Sequence, residues 1–223
     1  MGTQPTRPTR VALVFSGGDP PRSTDVAGLP DDALVIAADS GLHHAMALGM
    51  PVDVVVGDLD SVDPDALAAA QTAGARVDRH PVDKDATDLE LALATAQAEG
   101  ATRVVVIGGH GGRLDHFLAN ALLLAAPEFA ALEVEARFDG TRVIVVRDTI
   151  EVVGEPGDLL TLVPLGGPAH GVVTDALRFP LRAETLHPGS TRGVSNELTA
   201  TTARVSLSDG VLLAILPTRK ATQ

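Results

Sequence analysis

Through the first 148 residues, apolar positions gather into short unbroken runs, and each run opens into a segment rich in glycine and aspartate. VALVF (11–15) leads into Ser16-Gly17-Gly18-Asp19, ALVIA (33–37) into Ala38-Asp39-Ser40-Gly41, and VDVVV (52–56) into Gly57-Asp58-Leu59-Asp60-Ser61. A short strand near Val77 precedes Asp83-Lys84-Asp85, and RVVVI (103–107) precedes Gly108-Gly109-His110-Gly111-Gly112-Arg113. Helical stretches separate these runs. One follows Gly41 and ends near Gly49, and a second takes Asp63 as N-cap and Pro64 as first helical residue, with Gly74 closing it. A third has the capping spacing Thr87 to Glu90 and an apolar stripe of Leu89, Leu93 and Ala96, and a fourth runs from about Leu114 to Ala125. Strand-then-helix alternation predicts a Rossmann-like α/β domain on a parallel sheet. Unbroken apolar strands mean that helices cover both faces of that sheet.

Past about residue 148 the pattern changes. LLTLVPL, GVVTDALRF, TARVSLS and VLLAILP are short segments between glycine- and proline-rich turns, with no helical period. They predict a small antiparallel β-sandwich or barrel. The expected organisation is therefore an α/β domain over 1–148 and a β-sandwich domain over 149–223.

Composition narrows the function classes. Apolar residues make up 45% of 223, enough for a packed core, and no apolar run reaches the ~18 residues of a membrane span. The polar start, MGTQPTRPTR, has no apolar centre, so a secretory signal is not expected. Its first six residues formally fit a myristoylation pattern but contain Pro5, and they are read as a frayed tail. With no cysteine, disulfides, thiolate metal sites and cysteine catalysis are all excluded, and a cytoplasmic address fits. A formal net charge of −12 argues against a nucleic-acid partner, whose phosphates need basic neutralisation. Of 17 basic residues only Lys84 and Lys220 are lysine, and Lys84 stands between two aspartates.

Those aspartates carry the chemistry. In an open α/β sheet, ligands bind beyond the carboxyl ends of the strands. Asp19, Asp39, Asp58, Asp60, Asp83, Asp85, Asp88 and Asp115 follow strand after strand at that edge. A single aspartate in such a loop is ordinarily a cap or turn former. Five or more converging would repel one another, so a cation is the natural neutraliser, and oxygen ligands shared with substrate phosphates suit Mg²⁺. Zinc is disfavoured, because His43 and His44 are adjacent on a helix and are read as surface and packing residues. The Gly108–Gly112 loop lets backbone amides approach a phosphate at a helix mouth, and Arg113 adds a bidentate donor. A metal lined by acids beside a phosphate cradle means phosphoryl or pyrophosphoryl transfer, or phosphate hydrolysis. The residues alone do not name the acceptor.

The ordered string GDLDS (57–61), DKDATD (83–88) and GGHGGRLDH (108–116) with Asn120 resembles the thiamine pyrophosphokinase family. ADSG (38–41), GVVTDALRFPL (171–181) and TRGVSNEL (191–198) extend the resemblance over nearly the whole chain. It implies transfer of the pyrophosphoryl group of ATP to the hydroxyethyl oxygen of thiamine, with release of AMP. It also implies a homodimer whose active site lies at the interface. By motif position, Asp58, Asp60 and Asp88 would hold Mg²⁺, with Lys84, Asp85 and Asp88 as the catalytic set. Asp39, Thr87, Gly109, Gly111, Gly112, Arg113, Asp115 and Asn120 would line the nucleotide, and Ser195 and Asn196 would meet thiamine. The family often stacks tryptophan on the thiamine rings. This chain has no Trp or Tyr, and Phe179 stands at an aromatic position of the β-domain signature. The alternatives are a diphosphokinase acting on a pterin alcohol, a silent nucleotide or thiamine-diphosphate sensor, and, last, a plain phosphohydrolase.

Overall fold

A computed structural model describes residues 10–218, so the N-terminal tail and Lys220 lie outside the described residues. By contacts the chain divides into two compact units. Among the described residues, the first comprises 10–120 and 127–134, and the second 121–126 and 135–218.

The first unit is built on five parallel strands: β1 (Val11–Ser16), β2 (Leu34–Ala38), β3 (Val54–Gly57), β4 (Arg76–Arg79) and β5 (Arg103–Gly108). Their order is β5-β1-β2-β3-β4, with Val14 opposite both Ile36 and Val106. Ala12 to Phe15 and Val104 to Ile107 are all fully buried, which is why these strands read as unbroken apolar runs. Helices α1 (Gly41–Ala47), α2 (Pro64–Thr72) and α3 (Asp88–Ala98) lie between the strands in sequence, and α4 (Leu114–Leu123) follows β5. α1 packs on β1 and β2, while α3 packs on β1, β2 and β3. The Asp63 carboxylate caps α2 by accepting from the N–H groups of Asp65 (2.7 Å) and Ala66 (3.4 Å), ahead of Pro64. Thr87 caps α3 by accepting from Glu90 N–H at 3.2 Å, and Leu89, Leu93 and Ala96 are the buried stripe. α4 stops two residues short of the expected Ala125.

Apart from the end of α4, the second unit is built of β-strands, as the change of pattern predicts. β7 (Thr141–Val146), β9 (Leu159–Pro164), β12 (Asn196–Glu197) and β14 (Leu212–Leu216) join β6 (Glu133–Phe138) in one antiparallel array, ordered β12-β9-β14-β7-β6. β8 (Thr149–Val153), β10 (Ala169–Asp175), β11 (Arg182–Leu186) and β13 (Thr202–Ser206) form a second sheet, ordered β11-β10-β13-β8. Leucines of β9, β11 and β14 and valines of β8, β10 and β13 share one core, which makes the two sheets a sandwich.

The compact division falls between Val134 and Glu135, ahead of the change of sequence pattern near 148. The β6–β7 hairpin is the reason. β7 pairs with β14 from Leu212↔Val146 to Leu216↔Arg142, so it is tied to the C-terminal strands. Its turn, Asp139-Gly140, has positive φ at both residues (52° and 78°), as a tight two-residue hairpin requires. Beneath it, Glu135 is 4% exposed and accepts from Arg137 Nε and Arg142 Nε, both at 3.0 Å. Burial pushes the Glu135 pKa up, but Arg142 and then Arg137 outweigh it, and the carboxyl stays below its usual range. No helix among the described residues is long and apolar enough to cross a membrane.

Candidate active site

The loops after β2 and β3 bring three carboxylates together. One oxygen each from Asp39, Asp58 and Asp60 lies within 4.8 Å of the others. Backbone geometry makes this possible. Leu59 takes φ 65° and drops its side chain into the core (6% exposed), leaving Asp58 and Asp60 on the same side. Asp39 itself has φ 47°, a conformation Asp and Asn tolerate better than most residues. Gly57 has φ 143°, and a Cβ there would stand 2.8 Å from Asp88 Oδ1 and 3.3 Å from Asp39 Cβ. Only glycine lets the carboxylates close over that point.

Asp39 is the strained member electrostatically. Its Oδ1 is buried with no hydrogen-bond partner. Burial foremost, with repulsion from Asp88 and Asp58, raises its pKa against the opposing bonds from Ser40 and Ser61. An orphaned carboxylate oxygen among converging carboxylates, with oxygen donors only, fits a hard divalent cation. The convergent set therefore contains Asp39, while the Asp88 carboxylate is engaged elsewhere: Lys84 Nζ donates to Asp88 Oδ1 at 2.7 Å and to Asp58 Oδ2 at 3.1 Å. Asp88 and Asp58 together outweigh burial and keep Lys84 charged above its usual range, and the lysine in turn lowers Asp58.

A cavity of about 670 Å³ opens over this group. Asp39, Asp58, Asp60, Lys84, Thr87 and Asp88 line it together with Gly109, Gly111, Gly112, Arg113 and Asn120. Asp85 and Asp115 are not among its lining residues. Asp115 is instead bound to Arg113 at 2.6 Å on the exposed start of α4, where the guanidinium lowers its pKa to about 2. The glycine loop is interlocked with the loop after β1. Gly109 N–H donates to Gly17 C=O (2.7 Å), Asp19 N–H to His110 C=O (2.8 Å), and Asn120 Nδ2 to Gly109 C=O (3.1 Å). At Gly18, φ is 108° and a Cβ would lie 2.2 Å from His110 O, so glycine is required for the approach.

With the cavity and its acids in view, the comparisons decide the family. The catalytic-domain model of thiamin pyrophosphokinase matches residues 29–136, and the vitamin B1 binding-domain model of the same family matches residues 147–212. The chain belongs to the thiamine pyrophosphokinase family. It is similar to the thiamine pyrophosphokinase of Bacillus subtilis (strain 168), at 26% identity over 216 residues, 92% of this chain and 97% of that protein. Among solved structures, a thiamin pyrophosphokinase family protein from Enterococcus faecalis is 26% identical with a TM-score of 0.77, covering 95% of this chain and 100% of that one. The Bacillus subtilis crystal structure has the same fold, with a TM-score of 0.81 at 24% identity, again over 95% of this chain and 100% of that one.

Two residues of this thiamine pyrophosphokinase fold, read from the sequence as surface and packing residues, brace the site's loops. His43 Nε2 accepts the Asp63 N–H at 3.1 Å, tying α1 to the end of the Asp58–Ser61 loop. His44 Nδ1 meets Ser16 C=O at 2.9 Å and holds the end of β1. Adjacent side chains on a helix point about 100° apart, so two neighbouring histidines can brace two different loops. No motif marks them.

In the second unit the two family segments meet directly. Arg178 N–H donates to Glu197 C=O at 2.9 Å, and Leu177 bridges Leu198. Asn196 is 4% exposed, and its amide is committed to backbone. Oδ1 accepts from Phe179 N–H (2.9 Å) and Glu197 N–H (3.0 Å), and Nδ2 donates to Phe179 C=O (2.7 Å). It holds Phe179 in place rather than standing free for a ligand. Ser195 is exposed with φ 56°, its N–H donating to Thr161 Oγ1 at 3.0 Å. Phe179 is 51% exposed, with the Arg178 guanidinium 5.3 Å over its ring and Arg178 bound in turn to Glu197 at 2.9 Å.

Proposed function

We propose that the cavity lined by carboxylates is where this chain carries out its family's reaction: the pyrophosphoryl group of ATP passes to the hydroxyethyl oxygen of thiamine, giving thiamine diphosphate and AMP. The convergence of Asp39, Asp58 and Asp60 in a cavity that a glycine loop also lines is the observation that supports this reading. The carboxylates would hold Mg²⁺, with Asp88 joining them as Lys84 leaves it. The bound ion would supply Lewis-acid charge to the transferring phosphates. Gly111 and Gly112 leave backbone amides free of side chains beside the phosphates, Gly109 shapes the loop with its own N–H committed to Gly17, and the exposed Arg113 is within reach of the phosphate oxygens. Asn120 holds the glycine loop through Gly109. Asp85 and Asp115 act at one remove, Asp115 by orienting Arg113.

On the acceptor side, Phe179 offers the ring face against which the thiamine rings stack, held by Asn196, with Ser195 as the exposed polar neighbour. Family resemblance puts the two halves of each site on different subunits of a homodimer, and the absence of cysteine fits a cytoplasmic address. Incubation with ATP, Mg²⁺ and thiamine tests the chemistry. AMP should form in step with thiamine diphosphate. Stoichiometric ADP excludes pyrophosphoryl transfer, and AMP formed without thiamine points to another acceptor such as a pterin alcohol.

A further inference from the structure

Lys84 is held in a place that a metal ion would contest. Its ammonium bridges Asp58 and Asp88 at 3.1 and 2.7 Å. The lysine side chain is 12% exposed, and the carboxylates 14% and 28%, so solvent screens this group only partly. The other oxygen of Asp58 accepts the Asp60 N–H at 3.3 Å. Both oxygens of Asp58 are thus engaged, and a cation taking Asp58 shares that carboxylate's charge with the ammonium. Two positive charges on one carboxylate repel unless an anion comes between them.

We infer that Lys84 is an exchangeable counter-ion: it neutralises Asp58 and Asp88 while no divalent cation is bound, and swings onto the nucleotide phosphates when the metal and nucleotide arrive together. This rests on the metal and nucleotide reading proposed above. Three observations carry it. Lys84 lines the cavity as well as bridging the carboxylates, so phosphates in the cavity are within its range. It sits between β4 and α3, outside regular structure, where a four-carbon stem moves without disturbing a helix or strand. It is also the one lysine among the described residues, at a point where an arginine would grip the carboxylates in a rigid fork. A compact ammonium can let go. The exchange keeps the acidic edge neutralised in the free protein and delivers a positive charge to the phosphates only once the metal has arrived.

The test reads metal binding rather than turnover. Mn²⁺ is titrated by electron paramagnetic resonance against the full-length protein and its Lys84→Met and Lys84→Gln variants, with folding checked by circular dichroism. Without nucleotide, both variants should bind Mn²⁺ at least about fivefold more tightly than wild type, because the competing charge is gone. With a non-hydrolysable ATP analogue the order should reverse, the variants binding the metal–nucleotide pair about fivefold or more weakly. Unchanged or weaker nucleotide-free binding in both folded variants overturns the exchange, since a lysine that merely shapes the site would give that result. Failure of the wild type to bind Mn²⁺ even with the analogue brings down the metal reading itself, and the exchange with it.

Discussion

Replacing Asp39 with Asn should stabilise the metal-free protein while abolishing its function. Asp39 carries a buried, unpartnered Oδ1 and has ligand oxygens of Asp58 and Asp60 within 4.8 Å. Two unit charges at that separation repel by about 3 kcal/mol at an effective dielectric of about 20. Lys84 already offsets Asp58, and Asp60 is exposed and screened, so ~1–2 kcal/mol is the reasonable net penalty on ionised Asp39. The sign follows from linkage. The folded protein holds the Asp39 proton more tightly than the unfolded chain does, so its contribution favours the fold at low pH and is lost as pH rises through the folded pKa. At neutral pH the neutral amide escapes that loss, and Asn suits the φ of 47°. For a chain of 223 residues the gain corresponds to roughly 2–8 °C in melting temperature. Differential scanning calorimetry in EDTA measures it, and a second scan with Mg²⁺ and ATP should show the wild type gaining more than the variant. Turnover should fall by about 10² or more. A variant that melts below wild type in EDTA would refute the reasoning, because the carboxylate would then be a structural asset in the free protein.

Two further outcomes are expected. Phe179→Ala should raise the KM for thiamine roughly 3- to 10-fold with kcat and fold little changed, since the ring is 51% exposed, and Phe179→Trp should restore binding; an unchanged KM in the alanine variant removes the ring from the site. Glu135→Gln removes the carboxylate that Arg137 and Arg142 both bind beneath the β6–β7 hairpin and should cost about 2–3 kcal/mol at pH 7 by denaturant unfolding. Because the folded Glu135 pKa lies below the usual 4.5, that cost should hold above pH 4.5 and shrink as pH falls through the folded value; a cost independent of pH would mean that shape, not charge, holds the hairpin.

The covered parallel sheet, the capped helices α2 and α3 and the all-β second half were legible from residue order alone. Each depends on local signals: an unbroken apolar run for a strand covered on both faces, Asp63-Pro64 or Thr87 for a helix start, short segments between turns for a sandwich. The acidic edge was legible for the same reason, because strand ends in a parallel sheet share one side. The β6–β7 hairpin turns at Asp139-Gly140, which was not among the turns expected from the sequence, and its allegiance to the second unit came from pairing with β14, some 70 residues later in the chain. Only the tertiary structure decided which side chains meet. It joined Asp39 to Asp58 and Asp60, turned Asp88 toward Lys84, braced the loops with His43 and His44, and committed the Asn196 amide to the backbone of Phe179. Apart from the Lys84–Asp88 pair, four positions apart, those outcomes rest on positive φ at Leu59 and Gly57 and on contacts between residues 17 to 28 positions apart, which no local period encodes. Sequence periodicity says which face a residue takes, whereas a hydrogen bond or ion pair depends on a few ångströms set by how separate segments pack.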